Sequence, residues 1–153
     1  VKADVEIVLD TRGNLLQNNI HGNFFIKPNI HELRDMFNEK LETKEEIVKK
    51  CSFFLERRVK NIIISRGGDG ALLVNKDFVL EASVPEGELI NSIGAGDSMV
   101  AGFIAGYVKG YSIEDSFRLA VASGSATAYS YGLAEKELVE KLYKEIKIIK
   151  ESV

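Results

Sequence analysis

Asn91-Ser92-Ile93-Gly94-Ala95-Gly96-Asp97-Ser98-Met99-Val100-Ala101-Gly102-Phe103-Ile104 reads as a loop that turns into an apolar helix. Up to Gly96 the side chains are small, Ile93 excepted. From Ser98 on, Met99, Val100, Phe103 and Ile104 give the run a helical apolar pattern. A helix start carries backbone N–H groups with no partner inside the helix, together with the positive end of the helix dipole. Glycines let a charged oxygen come close to that backbone. Asp97 stands at this anion-favouring place, either as an N-terminal cap or as a base beside a phosphate.

Upstream, apolar strand-like runs alternate with helical patterns. Val5-Glu6-Ile7-Val8-Leu9 predicts a strand, Leu15 to Ile20 a short helix and Phe24-Phe25-Ile26 a buried strand. Pro28 forbids continued pairing. Asn29 followed by Glu32 has the spacing of a capping box, opening a helix that carries Leu33, Met36 and Phe37. Thr43 starts the next helix, with Glu45 and Glu46 in its first turn. Ile62-Ile63-Ile64 is apolar throughout, as in a strand covered on both faces. Ser65-Arg66-Gly67-Gly68-Asp69-Gly70 is a glycine-rich turn, and Ala71–Val74 with Phe78–Leu80 predict a hairpin.

Downstream the pattern is helical. A helix from about Asp97 to Val108 stops at Gly110. Ser112 caps another, which carries the small residues Ala122 to Ala128 and is expected to end at Gly132. A last helix is predicted from Glu135 to Lys150, with Leu138, Leu142, Ile146 and Ile149 facing inward. Early alternation followed by segregation fits a single layered α/β domain over residues 1–153, with a largely parallel sheet flanked by helices.

The chain has 153 residues, 45% hydrophobic and 28% charged, with a net charge of -3. That suits a globular domain with a real core and argues against general nucleic-acid binding, which needs a basic face. The apolar runs are strand-sized, so no membrane span is expected, and the default location is the cytoplasm. The lone Cys51 lies in an apolar helical pattern and reads as a buried structural thiol. His21 and His31 sit in polar, loop-like surroundings and read as solvated.

Four segments in order, Lys27 to Glu32, Ser65 to Gly70, Asn91 to Ile104 and the small-residue run around Ser123 to Thr127, resemble the ribokinase/PfkB family of carbohydrate kinases. The resemblance implies a ribokinase-like fold. It implies that Gly94, Ala95 and Gly96 form an anion hole and that Asp97 takes the proton of the acceptor hydroxyl. Asn29 and Glu32 match the family's Asn-x-x-Glu motif, which places Mg²⁺ and phosphate, with Lys27 near the nucleotide phosphates. Ser65, Gly67 and Gly70 match its nucleotide loop, and Val121 and Ser125 its adenine pocket. Read alone, each has a plainer meaning: a capping box at Asn29, a surface lysine at 27, an ordinary turn at Ser65–Gly70, and close helix packing in the small-residue run.

The third segment is most similar to the phosphosugar branch. This implies phosphoryl transfer from ATP to fructose 1-phosphate, or alternatively to tagatose 6-phosphate or another sugar. A non-catalytic nucleotide-binding domain and a purely structural α/β domain are the remaining alternatives. Family members are about twice this long. The sequence begins at Val1 and has no Gly-Gly-x-x-x-Asn sugar motif. It therefore reads as the C-terminal, nucleotide-binding half, with the sugar-binding half and the lid through which relatives pair as homo-oligomers lying outside it. Little kinase activity is expected of such a piece alone.

Overall fold

The computed structural model describes residues 5–153. They form two compact units. One runs to Arg66 and adds Leu72–Val79 and Glu151–Val153. The other comprises Gly67–Ala71 and Leu80–Lys150.

In the first unit the chain runs β1 (Val8–Leu9), α1 (Gly13–Asn19), β2 (Phe25–Ile26), α2 (Ile30–Phe37), α3 (Lys44–Glu56) and β3 (Asn61–Ser65). A helix between consecutive strands returns the chain to the same sheet end, so neighbouring strands lie parallel. Val8 pairs with Phe25, and Ile26 with Ile62, in that sense. β4 (Ala71–Val74), β5 (Phe78–Ala82) and β6 (Ile148–Ser152) complete a six-stranded sheet in chain order. The predicted hairpin is present. Asn75 bends it, its Oδ1 accepting the N–H groups of Asp77 and Phe78 at 2.9 Å each.

The predicted capping box at Asn29 forms, and the structure shows a second at Thr43. The Asn29 side chain accepts from Glu32 N–H at 2.9 Å, and the Glu32 carboxylate from Asn29 N–H at 3.0 Å. Thr43 and Glu46 repeat the arrangement on α3. Behind them Leu33, Ile47, Phe54, Ile62 and Ile64 are buried together, and Phe37, Phe53 and Phe54 meet edge to face.

Cys51 is fully buried in this cluster, and burial pushes its thiol up to about 12. An unfolded thiol ionises near 9. The contribution to stability is therefore whole below pH 9 and is lost as pH rises from there toward 12, at about 1.4 kcal/mol per unit. Denaturant titrations of wild type and Cys51→Ala from pH 8 to 11 are expected to diverge with that sign.

The second unit is built on α4 (Ala95–Val108), α5 (Ile113–Ala128) and α6 (Lys136–Glu145). α4 and α5 approach through small residues. A Cβ at Gly102 would stand 2.8 Å from the Leu119 carbonyl oxygen, and one at Gly106 2.9 Å from Ser116 Cα. Gly124 faces Met99 and the Ala95 carbonyl in the same way. Ser112 caps α5 through the Asp115 N–H, and Tyr143 of α6 donates to the Asp115 carboxylate at 3.2 Å.

Of the boundaries that differ from the sequence expectation, two helix ends move furthest. α5 ends at Ala128 rather than Gly132, because the Ala128 carbonyl accepts N–H groups of Ile90 and Asn91, at 2.8 and 3.0 Å, from an incoming loop. α6 ends at Glu145, not Lys150. Ile146 turns extended, and Lys147 exchanges two 3.0 Å hydrogen bonds with Ser83 at the end of β5. Ile148 and Ile149 then lie in β6, and Ile149 is 61% exposed rather than inward-facing. No helix among the described residues is long and apolar enough to cross a membrane.

Candidate active site

In the first unit, three of the residues singled out from the sequence, with Asp10 beside them, lie at the carboxyl ends of the parallel strands. Asp10 follows β1, Lys27 and Asn29 follow β2, and Ser65 ends β3. Asn29 and Ser65 form an isolated parallel bridge, which joins the Asn-x-x-Glu motif to the start of the glycine loop. Ligands of open α/β sheets bind outside these strand ends. The Lys27 side chain is only 9% exposed, with its Nζ 4.0 Å from Asp10 Oδ1. It is a held cation rather than the surface lysine that a plain reading of the sequence gives. Burying an ammonium needs a nearby acid, and Asp10 supplies it.

Asn29 and Glu32 are the residues that could take a divalent cation. Their capping box uses Asn29 Oδ1 and Glu32 Oε2, so Glu32 Oε1 is the oxygen outside it. No group of three His, Cys, Asp or Glu suited to a metal occurs among the described residues. An all-protein cage is therefore not built there. A donor set of one carboxylate and one amide oxygen fits Mg²⁺, which keeps water and phosphate oxygens in its shell.

In the second unit, Gly67–Asp69 make one turn of 3-10 helix, closed by Gly70 N–H on the Gly67 carbonyl at 3.1 Å. The loop before α4 is shaped by Asn91, whose Oδ1 accepts the Ile93 N–H at 3.0 Å, and by Ala95 N–H on the Ser92 carbonyl at 3.2 Å. Gly94, at φ 80°, is the N-cap residue, in a left-handed conformation that opens the backbone without a side chain. No side chain caps α4.

Asp97 is the third helical residue, not the cap. It is exposed, and its carboxylate makes no hydrogen bond or ion pair among the described residues. Gly94, Ala95 and Gly96 are half-buried beside it. Val121 and Ser125 stand one turn apart on α5, the first buried and the second half-buried.

Reading the sequence missed what holds the α4 turn in place. Thr127 near the end of α5 bonds Ser98 through their hydroxyls at 2.8 Å, and Tyr129 Oη donates to the Pro85 carbonyl at 2.7 Å. Both contacts span 29 or more residues, so no local pattern signals them. A groove of about 590 Å³ lies between the Tyr129–Leu133 loop and α6, lined by Ile90, Tyr131, Leu138 and Lys141 among others. It contains none of the candidate site residues.

Comparison with known proteins places the chain in a family. The chain is 44% identical over 148 residues to a 1-phosphofructokinase of Bacillus subtilis (strain 168), covering 96% of this chain and 49% of that protein. The fold superposes on a Staphylococcus aureus structure assigned as a phosphofructokinase with a TM-score of 0.91 at 36% identity, over 96% of this chain and 48% of the other. It also superposes on Arabidopsis thaliana ribokinase complexed with ribose and ATP, with a TM-score of 0.80 at 26% identity, over 92% and 48%. The chain thus spans about half the length of the curated relatives it matches. Residues 2–140 match the model of the pfkB family carbohydrate kinases, and the chain belongs to that family.

Proposed function

We propose that this chain is the nucleotide-binding half of a phosphosugar kinase that transfers the γ-phosphoryl group of ATP to fructose 1-phosphate, giving fructose 1,6-bisphosphate and ADP. The observation that carries the reading is Asp97: an exposed carboxylate, unpaired among the described residues, in the first turn of a helix with no side-chain cap. A capping carboxylate would be bonded to backbone N–H groups. This one is left available to accept a proton.

In the proposed step Asp97 takes the proton of the acceptor hydroxyl. The hydroxyl oxygen forms the new bond to the γ-phosphorus, and the bond from that phosphorus to the β-bridging oxygen breaks, releasing ADP. Phosphoryl transfer depends on positioning and charge stabilisation. In this reading Gly94, Ala95 and Gly96 offer backbone N–H groups to the transferring phosphoryl group, and Lys27 offers its ammonium to nucleotide phosphate. Ser65, Gly67 and Gly70 wrap the phosphates, while Val121 and Ser125 line the adenine. Mg²⁺ held at Asn29 and Glu32 would supply charge neutralisation on the phosphates. The 44% identity to a protein named 1-phosphofructokinase supports fructose 1-phosphate over tagatose 6-phosphate as the acceptor. ATP and phosphosugars are cytoplasmic metabolites, which supports a cytoplasmic location for the proposed kinase.

Calorimetric titration of the chain with ATP, with and without Mg²⁺, tests the nucleotide assignment. Saturable binding is expected, and its loss is expected in both Gly96→Val and Ser125→Tyr. Absence of binding by a folded chain would overturn the assignment of a self-sufficient nucleotide site to these segments.

A further inference from the structure

We propose that Thr127 is a positioning residue whose hydroxyl fixes the Gly94–Asp97 turn, an inference that rests on reading that turn as the phosphate-binding element. Thr127 is 2% exposed, one residue before the end of α5. Its Oγ1 stands 2.8 Å from Ser98 Oγ and accepts the Ala134 N–H at 3.4 Å. Its Cγ2 lies 3.9 Å from the point a Cβ on Gly94 would occupy. One side chain therefore stands beside the glycine that opens the turn and bonds the residue that follows Asp97 and the loop that follows α5.

The physical need for such a contact comes from the turn itself. α4 starts on a glycine in the left-handed region with no side-chain cap. Its first turn is thus closed locally only by backbone, as in the Ser98 N–H bond to the Gly94 carbonyl at 2.9 Å. A glycine-rich backbone is free to move unless something outside it fixes it. The next two residues of the chain extend the anchoring: the Ala128 carbonyl holds Ile90 and Asn91, and Tyr129 Oη holds Pro85. Thr127 is the anchor that reaches the turn. Donors aimed at a developing charge act through preorganisation, so loosening this anchor weakens phosphate binding without removing any contacting group.

The test uses Thr127→Val, which keeps the methyl beside Gly94 and deletes the hydroxyl, and Thr127→Ser, which keeps the hydroxyl. Ser98→Ala deletes the same bond from the exposed side. Amide exchange is followed by NMR, and ATP binding by calorimetry. In Thr127→Val and Ser98→Ala, the Ser98 N–H is expected to exchange about tenfold faster, and ATP binding to weaken about tenfold, the effect of one lost hydrogen bond. Exchange in α2 should not change, and Thr127→Ser should restore both properties.

Unchanged exchange at Ser98 overturns the proposal. So does a uniform rise across the chain, or a Thr127→Ser that behaves like Thr127→Val. If the wild type binds no ATP, the nucleotide assignment falls separately, and exchange at Ser98 decides the positioning claim.

Discussion

Asp97→Asn is expected to lower kcat by a factor of about 10² to 10⁴ in an active kinase carrying this sequence, the range typical of a removed general base. The amide keeps the shape of the side chain but cannot take a proton. Affinity for ATP should change by less than about threefold, because the lost interaction belongs to the transition state rather than to nucleotide binding. Stability should fall only slightly, by about 0.3–1 kcal/mol, since the carboxylate also complements the dipole of α4. The two readings of Asp97 thus predict different pairs of numbers. A helix-end charge that only steadies α4 gives a small loss of stability with turnover unchanged. A base gives the same small loss with turnover nearly abolished. Turnover within about threefold of wild type would remove Asp97 from the chemistry.

The parts of this molecule legible in the sequence are those decided within a few residues. Asn29 with Glu32 closes its capping box over a three-residue span, as expected, and Thr43 starts α3 as expected, closing a box with Glu46 over the same span. Asn75 bends the hairpin with its own side chain, and Ile62-Ile63-Ile64 could only be a covered strand.

Other features are decided by residues far away in the chain. The period of Leu142, Ile146 and Ile149 continues the α6 pattern, yet Ser83 captures Lys147 and converts the tail into β6. Lys27 reads as a surface residue, yet its side chain is only 9% exposed, with Asp10 beside it at the end of a neighbouring strand. Asp97 shows both effects. Its neighbourhood is legible as a helix start, but which residue begins the helix depends on Gly94 adopting φ 80°, and a sequence pattern does not fix that angle. The shift from cap to third helical residue is what leaves the carboxylate without a backbone partner.

Gly70→Ala is expected to cost about 3 kcal/mol or more, and Gly67→Ala about 1–2 kcal/mol, although both glycines belong to the same loop. Gly70 has φ 81°, and a Cβ there would run into the carbonyl oxygen of Ala82. Backbone on both sides leaves nothing able to rotate away, so overpacking adds to the left-handed strain. Gly67 has φ 58° and open space around it, which leaves strain alone. Asparagine tolerates the left-handed region, so Gly67→Asn should recover most of the lost stability, whereas Gly70→Asn should not.

Thermal melts of the four variants check this. The same set also bears on function. Packing accounts for Gly70 entirely, but it gives no reason for a bare backbone at Gly67 beyond its φ. A phosphate approaching the loop would supply one. Gly67→Asn is therefore expected to melt near wild type while binding ATP more weakly. A Gly67→Asn chain that binds ATP as wild type does would show that the loop needs its first glycine only to turn.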